Sequence, residues 1–130
     1  LKILLKILIK KYRINLHNIL GHSDIAPERK KDPGEKFPWE KLARENLSIW
    51  HKLCVKKNRK FRLKNLNKKE ETIFLKNLYL IGYNKIKTLD YNQSKRFLII
   101  AFQRRFRQEL IKPRLIFRIR HDFYCLFSFL

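Results

Sequence analysis

Apolar residues recur every three or four positions in four stretches of the chain, the spacing of a single helix face. In residues 1–13, LKILLKILIKKYR, Lys2, Lys6 and Lys10 fall four apart and form a polar stripe, with Ile3, Leu4, Ile7 and Leu8 opposite. Such a helix fits packing against a sheet. A membrane-surface helix or a degraded signal peptide shares the pattern, although lysines interrupt the apolar run and no cleavage site follows it. A second helix is expected from Trp39, after Pro38, with Trp39, Leu42, Ala43, Leu47 and Trp50 on one face. Glu40/Arg44 and Lys41/Glu45 form i,i+4 pairs outside that face. A third spans Glu70 to Ile81 and is closed by Gly82. The fourth runs from Gln93 to Leu110, with Leu98, Phe102, Phe106 and Leu110 stacked four apart. Asn18-Ile19-Leu20 reads as a short strand ending at Gly21. From Lys112 onward apolar and basic residues alternate until the greasy end FYCLFSFL.

Composition narrows the class. The 130 residues carry 32 Lys+Arg against 11 Asp+Glu, a net charge of +21, yet 45% are apolar. A basic disordered tail is excluded, because this much apolar surface supports a core. No apolar run reaches the roughly 18–20 residues that cross a bilayer, so no transmembrane span is expected. Two cysteines, Cys54 and Cys125, make neither a disulfide framework nor a metal cluster. There is no Met, and a chain opening LKILLK looks like a piece of something longer. The charge invites nucleic acid as a partner. Against specific binding, the basic residues are scattered, apart from Lys52 to Lys69 with nine Lys/Arg and no acid. Lysine accompanied by much Ile, Asn, Leu and Phe is also what AT-rich codons produce without functional pressure.

The chemistry concentrates in one loop. Residues 21–38, GHSDIAPERKKDPGEKFP, hold two of the three glycines and three of the four prolines. Ile25 and Ala26 are its only aliphatic residues, so polar contacts or a bound ion must hold it, or it is loosely held. Imidazole and carboxylate are good zinc ligands, and hydrolytic zinc keeps three protein ligands and an open position. His22 and Asp32 could converge on one ion across this loop. Pro33 biases Asp32 toward extended backbone, and Gly34 permits a sharp turn after it. Lys30, two residues before Asp32, can share its side and steady a developing oxyanion. Spacing alone is equally compatible with a solvated loop histidine. Asp24 and Glu28 read as ordinary turn or surface carboxylates, and His17, His51 and His121 as structural or solvated.

The string His22-Ser23-Asp24-Ile25-Ala26-Pro27-Glu28-Arg29-Lys30-Lys31-Asp32-Pro33-Gly34, continued by Phe37-Pro38-Trp39, resembles the last catalytic segment of zinc-dependent N-acetylmuramoyl-L-alanine amidases of the AmpD/AmiD type. That resemblance implies zinc as cofactor, with His22 and Asp32 as metal ligands and Lys30 assisting at the reacting carbonyl. It implies hydrolysis of the amide between muramic acid and L-Ala, with an upstream Glu accepting a proton. FLKNLYLIGYN and SKRFLIIAFQRRFRQ look like the small peptidoglycan-binding helical domain of AmiD-type enzymes, through Leu80, Gly82, Tyr83, Ala101, Phe102 and Gln103. The implied fold is α+β: residues 1–50 as the C-terminal part of a mixed-sheet amidase domain, 51–69 a basic linker, and 70–130 a small helical bundle with an aberrant C-terminal end. Most of the chain is then helical.

The departures set further expectations. The family's first zinc-binding His and its catalytic Glu lie upstream of residue 1, and position 28 is Glu where small or amide residues are usual. The chain then reads as a truncated remnant, inactive alone, whose partners are peptidoglycan or muropeptides and a missing N-terminal amidase fragment. A non-catalytic peptidoglycan-binding module is the alternative, with a basic nucleic-acid-binding protein behind it. The resemblance implies the bacterial cell envelope (periplasm), with any export signal upstream.

Overall fold

The computed structural model describes residues 1–51, 67–87, 89–108 and 111. Most of the basic linker and the sequence from Lys112 onward, with Cys54, His121 and Cys125, lie outside these residues. Among the described residues the structure is mostly helical: α1 (Lys2–Tyr12), a 3-10 turn (Leu16–Asn18), α2 (His22–Ile25), α3 (Trp39–Arg44), α4 (Lys68–Leu80) and α5 (Tyr91–Phe106). The expected strand at Asn18 to Leu20 is not formed. Asn15 caps the 3-10 turn there through its side chain, Ile19 follows in extended backbone, and no second strand among the described residues pairs with it. No helix among the described residues is long and apolar enough to cross a membrane.

The α1 face differs from the one its lysine stripe suggests. Leu5 and Ile9, one turn apart, pack on the core, whereas Ile3, Leu4 and Ile7 are exposed. Apolar residues nearly encircle this helix, so the pattern does not single out the buried side. Arg13, in the left-handed region (φ 51°), ends α1, and Lys2 is paired with Glu45 beyond α3.

Helix α3 is shorter than its apolar spacing suggests. Asn46 adopts φ 56°, the Asn46 N–H bonds the Ala43 carbonyl, and the Leu47 N–H bonds the Leu42 carbonyl. These are the two bonds of a Schellman ending, and Leu42 and Leu47 supply its apolar contact. Leu47 thus reaches the core by chain reversal and not by helical periodicity. Gly82 (φ 96°) closes α4 the same way, with Gly82 bonded to Tyr79 and Tyr83 to Leu78. Helix α4 starts at a reciprocal capping box between Asn67 and Glu70, and α5 at an Asp90 cap on the Gln93 N–H.

Two apolar clusters result. Trp39, Leu42 and Leu47 gather Leu5, Ile9, Ile19 and Phe37 around them. The larger cluster joins Phe74, Leu78, Ile81 and Tyr83 to Leu98, Phe102 and Phe106 of α5. Phe102 meets Phe74 edge-on at 5.5 Å and Phe106 at 4.9 Å. Burying each such side chain stabilises by about 1.5–3 kcal/mol. Trp50 touches both clusters, which joins the loop-bearing part to the helical part.

Candidate metal centre

The loop after Gly21 is held by polar contacts, as its lack of aliphatic residues requires. Helix α2 is a single turn. Its first residue is His22, whose carbonyl accepts from the Ala26 N–H at 2.8 Å. The Ala26 carbonyl accepts from Lys30 at 2.9 Å, and the Asp32 carbonyl accepts from the Ser23 N–H at 2.8 Å. That last bond brings the two ends of a ten-residue loop together. Gly21 packs where a Cβ would collide with Pro33 and approach Trp39 within 3.3 Å. Gly34, in contrast, has open space around it and no left-handed backbone, so the turn expected of it needs no glycine.

His22 and Asp32 are therefore side by side, with imidazole Nδ1 in direct contact with carboxylate Oδ2. Both side chains are exposed, 70% and 60%. The hydrogen bond from His22 holds the Asp32 carboxyl below its usual value against a small opposing effect of burial, and the charges of His22 and Lys30 act in the same direction. Asp32 thus stays ionised, and Lys30 is exposed on the same loop. The pair sits at the rim of a pocket of about 310 Å³, whose apolar walls include Leu5, Ile19, Phe37, Trp39 and Leu42. An apolar pocket with convergent polar groups at its edge is the usual form of a ligand site.

The donor types suit zinc, which takes imidazole nitrogen and carboxylate oxygen. They make two ligands. No group of three His, Cys, Asp or Glu side chains able to hold a metal occurs among the described residues. His17 pairs with the Asn15 side chain and His51 with the Phe106 carbonyl, which agrees with structural roles for both.

Asp24 is not the surface carboxylate its loop position suggests. It is 1% exposed. Its Oδ2 accepts from the Gly21 N–H at 2.9 Å and from Arg105 Nη1 on α5 at 2.7 Å. Arg105 also donates to the Ile19 carbonyl and to Ser48 Oγ, and its guanidinium lies 4.1 Å over the Trp39 ring. Burial first, and then the neighbouring Asp24 charge, pushes the Tyr83 hydroxyl well above its usual value, so it stays a phenol facing the pair. Arg105 and Tyr83 are missed by sequence reasoning. The only available signal is a motif for a separate helical unit, which says nothing of what that unit touches.

Residues of the chain are 47% identical over 47 positions to the N-acetylmuramoyl-L-alanine amidase AmiD of Escherichia coli (strain K12), covering 36% of this chain and 17% of that protein. They are 57% identical over 35 positions to the 1,6-anhydro-N-acetylmuramyl-L-alanine amidase AmpD of Enterobacter cloacae, covering 27% and 19%. The chain resembles AmiD/AmpD-type amidases. Among solved structures, Escherichia coli AmiD in complex with anhydro-N-acetylmuramic acid-L-Ala-D-γ-Glu-L-Lys superimposes with a TM-score of 0.75 at 26% identity, covering 98% of this chain and 48% of AmiD. AmpDh3 from Pseudomonas aeruginosa gives 0.72 at 29% identity, over 96% and 49%. The chain thus spans about half the length of these AmiD/AmpD-type structures and under a fifth of the curated relatives is aligned. No family model matches.

Proposed function

We propose that this chain is part of a zinc-dependent N-acetylmuramoyl-L-alanine amidase, in which His22 and Asp32 are two of the metal ligands and Lys30 acts at the scissile carbonyl. The observation that carries this reading is the contact of His22 Nδ1 with Asp32 Oδ2 at the rim of an apolar pocket. The substrate class is a muropeptide, including its anhydro form, cleaved between the muramic lactyl group and L-Ala. A bound zinc ion supplies Lewis acidity toward that carbonyl. The chain's own groups do the rest of what this half contributes. Asp32, kept ionised by His22 and Lys30, offers a formal negative charge to the cation. Lys30 donates to the carbonyl oxygen as negative charge develops there, and its exposure leaves it free to reach a substrate. The apolar walls from Leu5 to Leu42 hold the stem of the ligand and exclude water.

The third ligand and the general base come in this reading from outside the 130 residues, from the N-terminal portion of an amidase domain. Residues 1–50 are its helical C-terminal part, and the peptidoglycan-binding-like unit of residues 70–130 follows. The compartment proposed is the bacterial envelope. A non-catalytic role in binding peptidoglycan is the second reading, favoured by the presence, among the described residues, of two donors where a hydrolytic site uses three.

To separate them, the 130-residue polypeptide is incubated with zinc and muropeptide, alone and with the upstream half of an AmiD-type domain. Expected are trace hydrolysis alone and clear hydrolysis on mixing, abolished by His22→Ala or Asp32→Ala. Lys30→Ala should lower turnover while zinc remains bound. Retention on peptidoglycan with no hydrolysis in any mixture would decide for the binding module, and substantial hydrolysis by the polypeptide alone would refute the need for a partner.

A further inference from the structure

Among the contacts between the helical unit and the loop, one side chain reaches the most segments. Arg105 of α5 is 1% exposed and touches four separate segments: Ile19 before the loop (2.9 Å), Asp24 within it (2.7 Å), the Trp39 ring after it (4.1 Å) and Ser48 beyond α3 (3.1 Å). Two of these segments, at Asp24 and Trp39, adjoin the donors of the metal pair. Asp24 grips the Gly21 N–H, immediately before His22. Trp39 packs on Gly21, which in turn packs on Pro33, immediately after Asp32. The Ser23 N–H then holds the Asp32 carbonyl at 2.8 Å. Arg105 is well suited to this, because its planar fork donates in several directions at once, which a lysine ammonium on a flexible stem cannot reproduce. The pair itself is exposed and its side chains touch each other, so its placement depends on the backbone beneath it.

We infer that Arg105, acting through Asp24, is a positioning residue for the His22–Asp32 pair: the buried guanidinium on α5 preorganises the two donors from behind. The helical unit then has a part in the metal centre besides any part in binding glycan. As a statement about metal affinity this rests on the zinc reading above; as a statement about the loop it does not. Outer-sphere partners of this kind change metal affinity by about 10- to 100-fold.

The experiment uses the full 130-residue chain in five forms: wild type, Arg105→Met, Arg105→Lys, Asp24→Asn, and Leu75→Ala as a control that loosens the helical core away from Arg105. Asp24→Asn is the second variant, kept for the case in which Arg105→Met does not fold. Two readouts are taken at a temperature where circular dichroism shows each variant folded: amide exchange at Gly21 and Ser23 without metal, and the affinity and visible spectrum of bound cobalt(II). Expected for Arg105→Met or Asp24→Asn are loss of Gly21 and Ser23 protection and cobalt binding weaker by about 10- to 100-fold with an altered spectrum. Leu75→Ala should change neither selectively, and Arg105→Lys should restore affinity in part. Unchanged protection at Ser23 overturns the inference, as does selective loss of protection with cobalt affinity and spectrum intact, or an equal loss in Leu75→Ala. If the wild type binds no cobalt, the zinc reading fails, and amide exchange still decides the positioning role.

Discussion

Two charged pairs share this loop and live in opposite surroundings. His22 and Asp32 lie ten residues apart in sequence and stand in solvent, 70% and 60% exposed. Asp24 and Arg105 lie 81 residues apart and are 1% exposed each. An exposed pair is screened and adds little to folding. Its value is that its donors remain reachable. A buried pair costs desolvation, which is offset only where further hydrogen bonds complete it. Here they do so in part: Asp24 Oδ2 also takes the Gly21 N–H and Arg105 also serves Ile19 and Ser48, while Asp24 Oδ1 and Arg105 Nε are buried without a hydrogen-bond partner among the described residues. On the proposed function the comparison teaches a division of labour, with metal donors on the open pair and rigidity drawn from the closed one.

The largest test removes one buried partner. Asp24→Ala leaves Arg105 as an uncompensated buried charge and should lower stability by about 3–5 kcal/mol, read from the urea midpoint by tryptophan fluorescence. The double variant Asp24→Ala/Arg105→Met should cost clearly less than the sum of the two singles, since the charge and its partner leave together. A cost for Asp24→Ala near that of a surface carboxylate would end the contrast between the pairs.

Smaller effects probe how the helical unit is seated. Gly82 has φ 96° and lies where a Cβ would come within 2.7 Å of Leu20 Cδ1, next to Gly21. Gly82→Ala should cost about 1–3 kcal/mol, the range for a side chain forced into that backbone region. Asn67→Ala removes the α4 cap far from the loop and should cost about 1 kcal/mol. Its distinguishing result is unchanged amide protection at Ser23, whereas Gly82→Ala should reduce that protection through Leu20.

Local rules made part of this legible. The glycine stop of α4 and the stack of Leu98, Phe102 and Phe106 depend on neighbours three or four residues away, and each is found close to where the pattern puts it, whereas α4 starts at Lys68 under an Asn67 cap, earlier than the expected Glu70. The juxtaposition of His22 and Asp32 is also a short-loop property, and the motif carries it. What fails is whatever depends on distant partners. The buried side of α1 is decided by Trp39 and Leu42, not by its own lysines. Asp24 looks like a turn carboxylate until an arginine 81 residues later is brought over it. Asn18 to Leu20 has strand-like residues, yet a strand exists only with a partner to pair with. Even α3 stops early because Asn46 tolerates a left-handed backbone that no apolar period announces.

The smallest expected effect on folding is the sharpest test of the open pair. The bond from His22 lowers the Asp32 value, so any stabilisation it gives is present above the ordinary carboxylate value of 3.8 and is lost as the pH falls through the lower folded value. Exposure keeps that contribution slight. Asp32→Asn should therefore leave the metal-free urea midpoint unchanged at pH 7 while greatly weakening zinc binding, as titration calorimetry would measure, because the amide oxygen brings no formal charge to the cation. The two readouts must part company. If Asp32→Asn unfolded the chain at markedly lower urea, the open pair would be one of the supports of the fold, and its exposure could no longer be read as a provision for binding.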